Sequence, residues 1–194
     1  MGNLYGHVFP GSCFFFLPLY IFCCEPLSKN RNLLGGAWVA FIIVFGSIGG
    51  VLISEFNDVS TDHKWHHLTM YSAFGFAACA SLLEKRMMLA DGAANILLCG
   101  ANVIEALLFQ GHPPKTRLEG TLHSLVALTA LLSAAAVGRW NLDPPAQWAR
   151  SLALYFFALK GLTFAIMGIW LGLFFEFTIY HCVRADASVD QLLC

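Results

Sequence analysis

Apolar residues recur in long runs separated by short polar connections. Six of the runs approach the roughly 20 residues that a membrane-spanning helix needs. They cover residues 8–24, 33–54, 68–83, 87–110, 122–137 and 148–173. The first is short and holds Pro10 and Pro18, residue types that kink a helix interior. The third is extended at its start by Trp65, His66 and His67. The fourth embeds Asp91, Asn95, Asn102 and Glu105, and the sixth is interrupted by Lys160. Residues 84–86 form a tight turn, and the paired prolines Pro113-Pro114 and Pro144-Pro145 break the helices on either side of the fifth run. Residues 174–180 prolong the last helix or lie along the interface, and residues 185–194 read as a polar tail. The pattern predicts an all-α, polytopic membrane helical bundle of about six transmembrane helices, forming one domain over residues 1–184.

Composition agrees with that pattern. Of 194 residues, 58% are hydrophobic and 12% charged, where a soluble domain carries about a quarter charged residues. A net charge of -1 gives no electrostatic reason to expect a nucleic-acid partner. Membrane lipids are the expected surroundings, in the endomembrane system or the plasma membrane. The start lacks a basic segment and a small-residue cleavage site, so the first run is expected to stay as a helix. Cys13, Cys79 and Cys99 sit inside apolar runs and act as small hydrophobes. Cys23 and Cys24 are two packing thiols or a juxtamembrane acylation site.

Charge orients the bundle. Lys29, Arg31, Lys85, Arg86, Arg139 and Arg150 fall on one side; Lys64, Lys115, Arg117 and Arg184 fall on the other. The basic excess predicts that the first side is cytoplasmic. All seven histidines then lie toward the opposite face, with Glu105 in the last two turns of its run. Glu119 and His123, four apart, share a helix face, as do His63 and His67. Imidazole and carboxylate suit a divalent transition metal such as zinc or iron. His7, His67, Glu105, His112 and His123 are the candidate metal ligands. The alternative is a set of interfacial hydrogen bonders. His63-x-x-His66-His67 also has the form of one histidine box of a membrane di-iron enzyme, without the companion boxes.

An unpaired charge inside a membrane helix costs about 2.5–3.5 kcal/mol on insertion scales. Lys160 therefore calls for an acid, Asp91 or Glu105, or for an anionic ligand. An ion pair that joins two helices is the simpler reading. Asn95 and Asn102, seven apart, extend a polar face of the fourth run or supply interhelical hydrogen bonds. Gly46 with Gly50 and Gly168 with Gly172 offer small-residue faces for close helix packing or a dimer contact. No P-loop, Gly-x-Ser-x-Gly, His-Glu-x-x-His or Cys-x-x-Cys motif occurs, so no catalytic motif is complete.

Four short motifs, in order, resemble the transmembrane protein 45 family of multipass eukaryotic proteins. They are Gly6-His7-Val8-Phe9-Pro10-Gly11-Ser12, Trp65-His66-His67-Leu68-Thr69-Met70-Tyr71, Glu105 to Phe109 with His112 close behind, and His123-Ser124-Leu125. The resemblance covers about residues 2–175. It implies about seven membrane helices, one more than counted here, and no established enzymatic activity. It carries His7, His67, Glu105, His112 and His123 over as motif positions. Thr121 stands where the family often has another histidine. Three functional classes follow. One is a membrane protein whose His/Glu cluster binds a metal, proton or lipid headgroup. Another is a metal-dependent enzyme acting on lipids, with Glu105 as base or ligand. The last is a homo-oligomer or a structural subunit of a larger membrane complex.

Overall fold

The computed structural model describes residues 2–24, 61–111, 117–142 and 147–190, together with six positions between 43 and 52. Side chains are described for residue 8, residues 10–23, the six positions between 43 and 52, and from 65 to 170 within those stretches. Five helices are continuous among the described residues: α1 (Gly2–Cys24), α2 (Thr61–Lys85), α3 (Ala93–Gly111), α4 (Arg117–Leu142) and α5 (Gln147–Asp190). Among the described residues there is no strand. The second expected span, residues 33–54, lies mostly outside the described residues; the six described positions within it are helical. Among the described residues, three segments are long and apolar enough to cross a membrane: α3, α4 and residues Gln147–Trp170 of α5. A shorter apolar stretch covers Pro10–Cys23 of α1.

The fourth run does not become helical where its apolar residues begin. Residues 87–92 form a turn, and α3 starts at Ala93. The turn is built by α2's last carbonyls. Met88 N–H donates to Leu83 O at 3.0 Å and Met87 N–H to Glu84 O at 2.9 Å. This pair of bonds is the C-terminal closure that needs one left-handed residue. Met87 supplies it, with φ 58°. Gly92, at φ 90°, then turns the chain into α3. Asp91 is consequently exposed in the turn and not embedded in a helix. At the other end of the chain, α5 runs unbroken to Asp190, so residues 174–180 and the start of the expected tail prolong one helix.

Neighbours pack in the order α1 on α5, α5 on α4, α4 on α3 and α3 on α2. The Phe14 and Phe74 rings, 5.0 Å apart edge to face, bring α1 and α2 together on the remaining side. The tightest approach is between α1 and α5. A Cβ added to Gly161 would stand 2.5 Å from Phe14 C and 2.6 Å from Gly11 O. One added to Gly11 would meet Ala165 N at 2.6 Å and Phe164 Cβ at 2.9 Å. Only glycine lets two helix backbones meet this closely. The order of these contacts makes α1 and α5 antiparallel. The expected small-residue pairs contribute differently: Gly168 is buried, whereas a Cβ on Gly46 would meet nothing within 4 Å among the described residues.

The distribution of polarity is inverted relative to a water-soluble bundle. Glu105, Lys160, Asn102 and Ser133 are fully buried, while Phe76, Ile96, Leu107 and Tyr155 face outward. In water such an arrangement exposes apolar surface and strands charge inside. In lipid it places apolar side chains against hydrocarbon and lets the buried polar groups satisfy one another.

Candidate polar site at the centre of the bundle

The polar face of α3 carries Asn95, Asn102 and Glu105 at spacings of seven and three, one stripe of a 3.6-residue helix. Leu98, Ala101 and Ala106 are buried on the same helix. Small residues on the neighbouring helix α4 are also buried, and Ala127 and Ala130 pack with Ala106 and Phe109 of α3. Cys99 donates its thiol hydrogen to Ala134 O at 3.3 Å. Asn95 Nδ2 donates to Asn141 Oδ1 at 3.1 Å, joining α3 to the end of α4.

The centre of the site is an ion pair. Lys160 Nζ stands 2.6 Å from Glu105 Oε2, and both side chains are wholly buried. Of the two acids considered from sequence, the lysine has therefore taken Glu105; Asp91 is out in the turn. Lys160 also donates to Asn102 Oδ1 at 3.0 Å. Asn102 is oriented for this because its Nδ2 donates back to Leu98 O at 2.7 Å. Three rings surround the ammonium: Phe14 at 4.1 Å, Phe157 at 4.7 Å and Phe74 at 4.8 Å from Nζ to ring centroid. They come from α1, α5 and α2. Ring faces are negative, so a desolvated cation among them gains about 2 kcal/mol per good contact. Next to Lys160 in sequence, Gly161 permits the backbone contact that carries Phe14 over the charge.

Glu105 is less completely satisfied than its partner. Oε2 receives the lysine, but Oε1 is buried with no hydrogen-bond donor among the described residues. A buried carboxylate oxygen without a donor costs free energy, so it is a position for a proton, a water molecule or a ligand hydroxyl. Tyr71, on α2, lies within electrostatic range of both Glu105 and Cys13. Its ring stacks on His67 with centroids 6.1 Å apart.

One helical turn beyond the ion pair lies an aromatic layer. Phe109 follows Glu105 by four residues on α3, and Phe164 follows Lys160 by four on α5. Their rings meet edge to face at 5.1 Å. Helices α3 and α5 are thus parallel. Beyond Phe109 stands His123, its ring 5.2 Å away at 66°. His123 Nε2 is 3.9 Å from Glu119 Oε1, the i, i+4 pair expected on the first turns of α4.

The five expected ligands are placed as follows. Glu105 and His123 lie on adjacent helices, separated by Phe109. His67 is half-buried on α2, against Tyr71. His7 lies on α1 with its side chain outside the described residues, and His112 is outside them altogether. Among the described residues, no three His, Cys, Asp or Glu side chains are grouped to hold a metal ion. Sequence reasoning did not identify the aromatic rings around Lys160, because phenylalanines in an apolar run carry no register. It also missed Gly11 and Gly161, since each is a single glycine on a different helix. No family model matches the chain, and no solved structure matches its fold.

Proposed function

We propose that the chain is a multipass membrane protein of the transmembrane protein 45 type, with six spans, that binds a proton at Glu105. The carrying observation is the buried Oε1 of Glu105, which has no donor among the described residues while Oε2 is held by Lys160. Inverted polarity and three long apolar helices support the membrane placement. The motif resemblance supports the family reading, with His67, Glu105 and His123 as motif positions. Binding a proton leaves Glu105 neutral. The ammonium then stays held by Asn102 and the three rings, so the site keeps favourable contacts in both protonation states.

A second reading has its own supporting observation. Lys160 is enclosed by an acid, an amide and three rings, which is what an ion pair acting only as a helix joint needs. Infrared spectroscopy of the protein reconstituted in lipid vesicles separates the two. For proton binding, acidification produces a protonated-carboxyl band that is lost in Glu105→Gln. A spectrum in which Glu105 stays ionised at every pH where the protein remains folded overturns it in favour of the joint. Stoichiometric metal, lost in a Glu105→Ala, His123→Ala double variant, overturns it in favour of a metal site.

A further inference from the structure

We propose that one end of the bundle, formed by the α2–α3 turn and the α4–α5 junction, binds anionic phospholipid. Lys85, Arg86 and Arg139 meet the headgroups, and Met87 and Met88 enter the upper acyl chains. The surface rests on the membrane placement above and is independent of proton binding at Glu105. Three contacts gather it in one place. Asn95 Nδ2 donates to Asn141 Oδ1 at 3.1 Å. A Cβ on Gly92 would stand 2.6 Å from the same Asn141 oxygen, so the turn lies against the end of α4. Two residues earlier on α4, Arg139 Cζ stands 5.9 Å from the centroid of the Trp148 ring, at the start of α5.

The backbone of the turn points to a lipid covering. Met87 occupies the left-handed position, φ 58°, that closes α2. Glycine is relaxed there and methionine is strained. Packing within the chain does not offset that strain, because Met87 is 88% exposed. The next side chain in such a closure often packs back on the helix, yet Met88 is 68% exposed. Two flexible apolar side chains held outward at the end of a membrane bundle are suited to burial among acyl chains. Trp148, also exposed, is the aromatic type that sits at headgroup level. The charges beside these residues select the lipid. Lys85, Arg86 and Arg139 are exposed, and Asp91 is the only exposed acid among the described residues of the turn and the adjoining helix ends. Glu84 is turned inward, onto Ala94 N–H. A phosphatidylserine headgroup brings net negative charge to three cations, whereas a phosphatidylcholine headgroup carries its own cation. The same end holds the basic excess that predicts the cytoplasmic side, where anionic lipid is concentrated.

The test is native mass spectrometry of the full chain in detergent micelles holding equal amounts of phosphatidylserine and phosphatidylcholine. The ratio of the two lipids retained on the protein is the readout. Lys85→Gln and Arg86→Gln are each expected to lower the phosphatidylserine preference about fivefold. Arg117→Gln, which removes an exposed cation at the opposite end of α4, is expected to leave it unchanged. Met87→Gly is expected to reduce phosphatidylserine retention about tenfold, while the melting temperature stays level or rises because glycine relieves the left-handed position. A damaged fold cannot produce that combination. Excess soluble glycerophosphoserine is expected to displace no lipid, since the acyl chains are part of what is bound. Wild-type ratios in the Lys85 and Arg86 variants, an equal fall in Arg117→Gln, displacement by the soluble headgroup, or a lower melting temperature in Met87→Gly overturns the surface and leaves the membrane placement standing. A chain that stays monomeric in solution without detergent or lipid overturns the membrane placement and the surface with it.

Discussion

Two buried glutamates, twenty-one residues apart, are accommodated in opposite ways. Glu84, 9% exposed, ends α2 and turns back to accept Ala94 N–H at 2.7 Å. Its partner is the unpaired first turn of the next helix, ten residues along the chain. The positive end of α3 and its free amides are there in any folded form of that turn. Glu105 has no such local solution. It sits in the middle of a helix whose own amides are already bonded, and its partner Lys160 is fifty-five residues away. The first acid has a partner ten residues away, while the second depends on α5 and, through Phe14 and Phe74, on α1 and α2 as well.

If that contrast is right, Lys160→Met should have the largest effect. It leaves Glu105 buried and unpaired, and removing one partner of a buried pair costs about 3–5 kcal/mol. The double variant Lys160→Met, Glu105→Gln should recover most of the loss, because no uncompensated charge is left. Denaturant titration in detergent micelles measures both; equal destabilisation of the single and double variants would break the comparison. Gly161→Ala comes next. Its Cβ would overlap the backbone of α1, at a cost of about 1–3 kcal/mol. Crosslinking between α1 and α5 should fall along with the melting temperature. A Gly161→Ala protein with unchanged stability and crosslinking would show that the close crossing does not place Phe14. Glu84→Ala should have the smallest effect, about 1 kcal/mol, as for the loss of a helix cap. Its mark should be local: faster amide exchange at Ala94 and the first turn of α3, with the Glu105 centre untouched. Spread of that exchange to α5 would mean that the two acids belong to one cooperative unit.

Much of this was visible in the chain. The spacing of Asn95, Asn102 and Glu105 marks a single polar face, and the structure buries all three. The four-residue step from Glu119 to His123 places them together, as found. Lys160 was evident as a charge in an apolar run that called for an acid or an anionic ligand. The choice between Asp91 and Glu105 was not legible, since it depends on where α3 begins. The apolar residues Met87, Met88 and Leu89 look like helix, but the left-handed Met87 and Gly92 make them a turn.

Sequence alone therefore determined that charge is scarce, that apolar helices dominate, and that a few polar groups must find partners inside. These follow from composition and from the 3.6-residue period, which depend only on neighbours along one helix. Tertiary structure decided which partners meet. Phe14, Phe74 and Phe157 gather around Lys160 only because helices far apart in sequence are brought side by side, and Gly11 with Gly161 sets how closely two of them approach. The physical reason is that an ion pair is stabilised by distance in space, and separation along the chain carries no information about that distance.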